Sequence, residues 1–555
     1  MAEIKKIWFG AGVMDTALGN YAETLSAILE NRSGLEFSQK RGMVTGEIKS
    51  KPVTGGYTEL ESLMIRQMES VLSQSGLTLG DNSVRFVLST TKGNVSLLEG
   101  NTDHIPDDAF LYFSAEKVAA YFGAVTKPIV ISNACISGVS AFVVARRMIL
   151  SGECDHVLVL GCDLLCDFVT SGFASFKSIS SQLCRPYDVC RDGLNLGEAC
   201  ACVLVTSDEG KAVKPLVRLE GGSVTNDANH ISGPSRTGDG LFYAIRNAMS
   251  EAGVMALDIG MVNTHGTATA YNDEMESKAV ALAGLSDVPL NSLKGYIGHT
   301  LGASGVVETL LCISEIRDGV VFGTKGFTAL GVPCAVNIAA EHRKLGKSRC
   351  VKTASGFGGC NAAIVIAAEE CNDPVMGLPK VAEAECTAEY SLSTVSSMLF
   401  AEHIRQEYKA LDEPNMKFFK MSDLCKGAYV VMENLMRMTN LSEKYEKTDI
   451  AVILAGKSSS LDTDIAHQRI LEKRLPEGTS PAVFVYTLPS VAAGEICIRH
   501  KFQGDNTFFI DNNDARALCY ARLLIERGFA KAVVCGWCEK LEEKYSFEFK
   551  VLEIK

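Results

Sequence analysis

The sequence predicts an α/β fold of two or three packed units, built on a mostly parallel sheet with helices on both faces. Short apolar runs alternate with helix-like stretches, for example VRFVLST (84–90), KPIVISN (127–133), HVLVLGC (156–162) and ACVLVTS (201–207). Unbroken apolar strands separated by helices are typical of parallel sheets that are buried on both faces. With 555 residues, the chain also exceeds the size of one compact domain.

The composition indicates a folded globular protein and argues against two kinds of partner. Hydrophobic residues make up 47% of the chain and charged residues 22%, which is ordinary for a globular protein. The formal net charge is −12 and no block of lysine and arginine stands out, so we expect no nucleic acid partner. No run reaches about 18 consecutive apolar residues, so we expect no membrane span.

The 19 cysteines predict reduced thiols in a cytoplasmic protein. They lie in apolar contexts such as GCDLLCDF and GEACACVLV, and their odd number favours buried thiols over a disulfide framework. The first residues, MAEIKKIWFGAGVMDTALGN, lack the long apolar segment and the cleavage site of a signal peptide. Neither Cys162 with Cys166 nor Cys184 with Cys190 has the C-x-x-C spacing of metal ligands, so no metal site is predicted.

The C-terminal part of the chain resembles its N-terminal part. The pattern of elements falters near residue 368, within EECNDPVMGLPKVAEAEC, and then begins again. RLLIERGFAKAVVCGWCE (522–539) is similar to RRMILSGECDHVLVLGCD (146–163), which indicates an internal repeat. When the glycines of the two segments are matched, the position of Cys135 falls on Ile510 or Asp511, so the repeat carries no cysteine there.

Cys135 lies where a predicted strand meets a predicted helix, in SNACISGVSAFVVARRMILSG (132–152). Gly152 is a plausible residue to end that helix. At a helix N-terminus, the partial positive charge of unpaired N–H groups favours the thiolate, which is the nucleophilic form of cysteine. By itself the pattern leaves a second interpretation open, a small buried core residue.

Two of the nine histidines lie in glycine- and threonine-containing loops between a strand and a helix. His265 lies in MVNTHGTATAYNDEMESKAV (261–280), whereas Lys294 and His299 lie in VPLNSLKGYIGHTLGASGVVETLLCISEI (288–316). Loops at strand ends are where α/β folds place their chemistry. Taken singly, each histidine could equally be a residue that orders its own loop.

Five ordered motifs resemble the β-ketoacyl-[acyl carrier protein] synthases of the thiolase superfamily, which use one cysteine and two histidines. The motifs are NACISG, RPYDVCRDGLNLGEAC, THGTATAYND, the lysine five residues before GHTLGASG, and ASGFGGCNAAIV. The resemblance runs from about residue 4 to 368. It implies a thiolase-like five-layered α-β-α-β-α fold with two similar halves, 1–210 and 211–368, followed by an α/β half-repeat at 379–555.

The resemblance also implies a 3-oxoacyl synthase that catalyses decarboxylative condensation in fatty acid or polyketide/aryl-polyene-type synthesis. Cys135 would hold the acyl chain as a thioester, and His265 and His299 would stabilise the enolate formed from malonyl-thioester. The backbone N–H groups of Cys135 and Phe357 would form the oxyanion hole, with Lys294 in an electrostatic supporting role. Four further residues match the family and are expected to form buried ion pairs that hold the loops: Glu198, Asp273, Glu276 and Arg191.

Substrates and partners follow from the same resemblance. The implied partner is an acyl carrier protein, whose phosphopantetheine carries the acyl and malonyl thioesters, with no metal and no further cofactor. Family members are usually dimeric, so a homodimer or a heterodimer with another synthase-like subunit is expected. The type and length of the acyl chain stay open.

The sequence departs from the family in two places. Cys360 stands where the family usually has threonine, which leaves a thiolase as a less favoured alternative. The C-terminal repeat ends its matching segment in Asp511, Asn512 and Asn513, where a cysteine would belong. It therefore resembles half of a chain-length factor, and we expect a scaffold that shapes the acyl tunnel or the dimer contact. The alternative function is a non-catalytic subunit that binds an acyl chain or a carrier protein.

Overall fold

The computed structural model describes residues 5–371, 382–412, 415–473 and 479–555. Fifteen of its strands form one continuous path of hydrogen-bonded neighbours. In chain order these strands are β1 Trp8–Thr16, β2 Val84–Ser89, β3 Ile129–Ile131, β4 His156–Asp163, β5 Ala199–Thr206, β6 Val217–Asn226, β7 Met261–Asn263, β8 Leu290–Asn291, β9 Arg349–Gly356, β10 Cys360–Ala368, β11 Ala384–Ser393, β12 Ile450–Gly456, β13 Asn506–Ile510, β14 Ala532–Leu541 and β15 Lys544–Ile554. The helices are α1 Tyr21–Leu29, α2 Glu59–Ser75, α3 Leu111–Tyr121, α4 Ser137–Ser151, α5 Asp167–Ser175, α6 Asp239–Glu251, α7 Ala270–Leu282, α8 Lys294–Ile297, α9 Ser304–Asp318, α10 Phe400–Ala410, α11 Asp423–Arg437, α12 Leu441–Lys444, α13 Leu461–Glu472, α14 Pro481–Val485, α15 Ser490–His500 and α16 Ala515–Glu526.

The strands fall into three units with one topology: the first unit is β1–β5, the second β6–β10 and the third β11–β15. Along the sheet the order is β8-β7-β9-β10-β6-β1-β5-β4-β2-β3-β13-β12-β14-β15-β11. Within each unit the strands therefore follow the order third, second, fourth, fifth, first. The third unit repeats the first, as the sequence similarity predicts.

The boundaries between units are only partly visible. The interruption predicted near residue 368 coincides with the end of β10. Residues 372–381, inside the interrupting segment, lie outside the described residues. The limits 1–210, 211–368 and 379–555 therefore stay predictions.

The prediction of a mostly parallel sheet is wrong, because the sheet is mixed. In the first unit β2 runs parallel to β3 and β4, but β5 runs antiparallel to both β4 and β1. The second and third units repeat this mixture. Every residue of β5 is buried, although its neighbours run the opposite way. Burial on both faces makes a strand apolar, so an apolar run does not report the direction of its neighbours.

The first two units pack as five layers around two central helices. α2 covers the outer face of the first unit, and α6 and α7 cover the second, while α4 and α9 lie between the strands of the two units. A Cβ atom on Gly138 of α4 would lie 2.8 Å from Cα of Gly305 on α9, so the glycines permit the close helix contact. Within the described residues one helical segment, Ala134–Ser151, has the length and apolar character to cross a membrane, but 89% of it is buried inside the protein. It is thus a core helix of this fold.

The third unit continues the sheet from the edge of the first. Ile131 of β3 lies opposite Phe509 of β13 in an antiparallel pair. Just beyond β3, the side chain of Asn133 accepts a hydrogen bond from the Phe508 N–H at 2.8 Å and donates one to the Asn506 carbonyl at 2.6 Å. A second copy of the chain therefore cannot pair with β3, because the protein's own third unit occupies that edge.

Candidate active site

Cys135 lies in a strained turn between β3 and α4, as the sequence predicts. The preceding residue, Ala134, has φ of +49°, a left-handed conformation that is rare for residues other than glycine. The turn places the Cys135 thiol at the N-terminal end of the most deeply buried helix of the first unit. A cavity of about 390 Å³ opens onto it, lined among others by His265, His299 and Phe357.

His299 is the hydrogen-bond partner of the thiol. Its Nε2 lies 3.1 Å from Sγ of Cys135. Its Nδ1 accepts a hydrogen bond from the Leu301 N–H at 3.2 Å and lies 3.1 Å from Oγ of Ser304. A ring nitrogen that accepts a backbone N–H carries no proton in neutral imidazole, so Nε2 carries it and faces the cysteine.

His265 completes the cluster from the second unit. Its ring packs edge-on against the His299 ring, with 4.9 Å between centroids and an interplanar angle of 88°. Glu276 on α7 fixes the loop by accepting the N–H groups of His265 and Gly266 at 2.8 and 2.7 Å. Nδ1 of His265 is buried without a hydrogen-bond partner among the described residues, which leaves it available to a bound molecule.

A buried triad of charges lies behind the two histidines. Glu308 on α9 binds Lys294 through one carboxylate oxygen and Nζ of Lys352 through the other, at 2.6 Å for the second pair. All three side chains are at most 1% exposed. Burial, together with the positive charges of the two lysines, holds the pKa of His265 and His299 well below its usual range. Both imidazoles are therefore neutral at neutral pH.

The resting form of Cys135 differs from the sequence expectation. Burial raises the pKa of the Cys135 thiol to about 12, although the charge of Lys294 and a backbone N–H act in the opposite direction. The helix N-terminus favours the thiolate, as expected, but the loss of water outweighs it. At neutral pH the cysteine is a thiol.

This protonation state predicts a steep pH dependence of alkylation. Below a pKa of about 12, the thiolate fraction of Cys135 rises tenfold per pH unit. The rate of iodoacetamide labelling at Cys135, followed by peptide mass spectrometry, is therefore expected to rise about tenfold per unit across pH 6 to 9. A short unstructured peptide with one cysteine in the same buffers serves as control, since an ordinary thiol with a pKa of about 8.5 begins to level off at the upper end of this range. A plateau for Cys135 in this range would contradict a strongly buried thiol.

Two further residues from the sequence prediction, Asp273 and Glu198, bind backbone groups of neighbouring loops. Asp273 on α7 accepts the Tyr187 N–H at 2.7 Å and lies 3.9 Å from Nε of Arg191, so it ties the loop that carries both residues to α7. Glu198 accepts hydrogen bonds from the N–H groups of Ile48 and Leu165 and binds the ammonium of Lys51. Within the described part of the chain, its carboxylate bonds to neither the cysteine nor the histidines. Glu198 therefore supports a neighbouring loop.

Phe357 and Cys360 belong to the hairpin that joins β9 to β10. A Cβ atom on Gly356 would lie 3.1 Å from the backbone nitrogen of Cys135 and 3.1 Å from Sγ of Cys360, so this hairpin touches the nucleophile turn. The Cys360 thiol donates to the Phe357 carbonyl at 3.1 Å. Burial raises its pKa well above the usual range, so it is a protonated thiol bound to backbone.

Three residues that the sequence analysis missed also organise the site: Asp163, Glu308 and Lys352. The Asp163 carboxylate accepts the N–H groups of Thr91 at 3.1 Å and Gly302 at 2.8 Å, and thereby ties the loop after β2 to the turn that follows His299. Burial raises its pKa to about 6. Asp163 could have been found from the sequence, because it is an acidic residue at the end of an otherwise apolar strand. Glu308 and Lys352 lie inside buried elements, and no comparable sequence feature marks them.

The donor atoms of Cys135, His265 and His299 lie within 4.8 Å of one another, a spacing that could hold a metal ion. The positive charges of Lys294 and Lys352, which act on both histidines, oppose a cation there. That the protein uses no metal stays a prediction.

A five-layered α/β fold with a cysteine at the N-terminus of a central helix and two neutral histidines beside it is a thiolase-like fold with a candidate nucleophilic site. The family model "Beta-ketoacyl synthase, N-terminal domain" matches residues 88–210, and "Beta-ketoacyl synthase, C-terminal domain" matches residues 216–328. Together the two models cover less than half of the chain, and the likeness to β-ketoacyl synthases that they show holds for this region alone.

Curated relatives match the same part of the chain. The 3-oxoacyl-[acyl-carrier-protein] synthase 2 of Rhizobium meliloti (strain 1021) is 32% identical over 249 residues, which cover 42% of this chain and 59% of the relative. The protein of the same name from Mycobacterium leprae (strain TN) is 34% identical over 245 residues, with 42% and 58% covered. The matched region thus spans less than two thirds of these relatives.

Solved structures share the fold over a longer stretch. The "PfaC Keto synthase-Chain length factor" structure has a TM-score of 0.81 at 14% identity and covers 99% of this chain and 78% of that chain. The ketosynthase ApeO, in complex with its chain length factor ApeC from Xenorhabdus doucetiae, has a TM-score of 0.58 at 24% identity and covers 66% and 98%. These likenesses show that the thiolase-like fold extends into the third unit.

Proposed function

We propose that this protein is a 3-oxoacyl-[acyl carrier protein] synthase, which joins an acyl group to the two-carbon unit of a malonyl thioester. One observation carries the proposal: Nε2 of a neutral His299 lies 3.1 Å from Sγ of Cys135, at the end of a cavity that also holds His265. A buried nucleophile with two imidazole donors fits acyl transfer followed by enolate formation.

In the first half-reaction, Sγ of Cys135 attacks the acyl thioester. The new bond joins Sγ to the acyl carbon, the bond to the carrier's sulfur breaks, and the thiol proton leaves on the carrier's thiol. The N–H groups of Cys135 and Phe357 stabilise the oxyanion of the tetrahedral intermediate in this proposal. Because the thiol is protonated at rest, proton transfer must accompany the attack.

In the second half-reaction, malonyl-thioester loses carbon dioxide, and the electrons of the broken C–C bond form an enolate. His265 and His299 donate hydrogen bonds to the enolate oxygen, a role that requires neutral rings with N–H groups. The enolate carbon then attacks the thioester on Cys135. The cysteine leaves as a thiolate and regains a proton, and the product is a 3-oxoacyl thioester on the carrier.

The partner in this proposal is an acyl carrier protein, whose phosphopantetheine arm brings both thioesters, without a metal or another cofactor. One fold neighbour is a type II PKS acyl-carrier protein in complex with its ketosynthase. The third unit resembles a chain-length factor in fold and occupies the β3 edge, so we propose that it replaces a separate partner subunit. A cytoplasmic location also belongs to this proposal.

Intact-protein mass spectrometry tests the proposal. Incubation with an acyl-loaded carrier protein is expected to add one acyl group, and peptide mapping is expected to place it on Cys135. Addition of malonyl carrier protein is then expected to remove the adduct, release carbon dioxide and yield a chain two carbons longer. Cys135→Ala is the control and is expected to form no adduct. A wild-type protein without an adduct from any carrier or chain would favour the non-catalytic alternative.

A further inference from the structure

The inner side of the cavity, beyond Cys135, is very small. A separate inner pocket of only about 20 Å³ also reaches Cys135, and it shares Phe173 and Phe357 with the larger cavity. Its walls come from all three units: Thr91, Lys92, Ala134, Val169, Phe173, Leu301, Phe357, Phe484 and Leu488. Since a single water needs about 10 to 15 Å³ of such space, the pocket holds a group of one or two heavy atoms.

The third unit closes this pocket with an aromatic side chain. The ring of Phe484 on α14 packs edge-on against Phe173 of α5, with 5.5 Å between centroids. It also lies directly on α5, because a Cβ atom on Gly172 would lie 2.2 Å from its ring atoms. Only glycine at this position admits the ring so close. Phe484 is therefore seated against the first unit, and an acyl chain would have to displace it.

Lys92, which also lines the pocket, is held in place by a buried ion pair with the third unit. Nζ of Lys92 lies 2.7 Å from Oδ1 of Asp464 and 3.3 Å from Oγ of Ser460, and it also donates to the carbonyl of Thr487. All of these partners belong to the third unit. A methylene group that pushed Lys92 aside would break a buried ion pair, which is costly.

The larger cavity is not an alternative place for the acyl chain. It opens to solvent and reaches Cys135, and in the proposed reaction the malonyl thioester must enter after the cysteine has been acylated. An acyl chain folded back into this cavity would block the second substrate. The acyl group therefore has to lie on the inner side of the cysteine.

We infer that Cys135 accepts only a small acyl group, of about two carbons, and that Phe484 and the Lys92–Asp464 pair of the third unit set this limit. The inference rests on the proposed function. It assigns the third unit a definite task, which is to exclude long chains from the nucleophile.

The test compares acylation of Cys135 by acetyl, butyryl and octanoyl thioesters of N-acetylcysteamine, with labelling rates measured by intact-protein mass spectrometry. In the wild-type protein, octanoyl labelling is expected to be at least about 100-fold slower than acetyl labelling, because each methylene that does not fit costs about tenfold or more. Phe484→Ala is expected to raise the ratio of the octanoyl rate to the acetyl rate at least about tenfold.

Val483→Ala is the matched control, since it lies on the same helix but does not line the pocket, and neither rate is expected to change. Leu488→Ala provides a second enlargement of the pocket if Phe484→Ala does not fold. Equal acetyl and octanoyl rates in the wild-type protein would overturn the size limit alone. A ratio of the octanoyl rate to the acetyl rate that neither enlargement raises would overturn the assignment to the third unit. Absence of labelling by every thioester would overturn the proposed function, and this inference with it.

Discussion

Replacing His265 with alanine is expected to slow carbon dioxide release from malonyl carrier protein about 100- to 1000-fold, the usual cost of losing one oxyanion donor. Acylation of Cys135 is expected to stay within about threefold, because His299 and not His265 is the hydrogen-bond partner of Sγ. The two rates are measured separately, as carbon dioxide release and as adduct formation by mass spectrometry.

His104→Ala is the control for this prediction, since His104 is an exposed histidine that does not line the cavity. It is expected to change neither rate. If His265→Ala slowed acylation and decarboxylation equally, His265 would support the loop or the thiol instead of the enolate. His299→Ala is expected to impair both rates, because His299 contacts the cysteine and also faces the cavity.

Replacing Glu308 with glutamine is expected to lower the free energy of unfolding by about 3 to 5 kcal/mol, the typical cost of breaking a buried ion pair from one side. The change leaves Lys294 and Lys352, which are at most 1% exposed, without the carboxylate they share. The urea midpoint, followed by circular dichroism, measures the effect. Loss of the triad is also expected to lower activity, because it lies directly behind both histidines.

Glu274→Gln is the matched control, the same substitution in a partly exposed pair with Lys278 on α7. Pairs of this kind contribute less than about 1 kcal/mol, so the urea midpoint is expected to move little. Similar midpoints for both variants would show that the Lys294–Glu308–Lys352 triad does not carry the stability assigned to it.

The local part of the candidate site could be predicted from the sequence. Four site residues each lie in a short, glycine-containing loop: Cys135, His265, His299 and Phe357. The strand or helix patterns on either side of each loop are contiguous with it in the chain. The structure brings all four to one cavity. The missing cysteine of the C-terminal repeat was also predictable, because it depends only on matching two segments of sequence.

The direction of the strands and the charged surroundings could not be predicted in this way. A fully buried antiparallel strand such as β5 has the same apolar composition as a parallel one. Lys352 in β9 and Glu308 in α9 are more than forty residues apart and meet only because α9 packs against β9. Nothing local marks either residue as part of the site.

The sequence by itself, through motifs that are continuous in the chain, pointed to Cys135, His265, His299 and Phe357 as residues of one site and showed that the C-terminal repeat has no cysteine at the matching position. The tertiary structure alone decided that Cys135 rests as a thiol and that Phe484 and Lys92, held by Asp464, line the inner pocket. The reason is physical. Desolvation and steric closure depend on what surrounds a group in space, and here the pocket beside Cys135 includes Phe484 and Leu488, which are more than three hundred positions away in the chain.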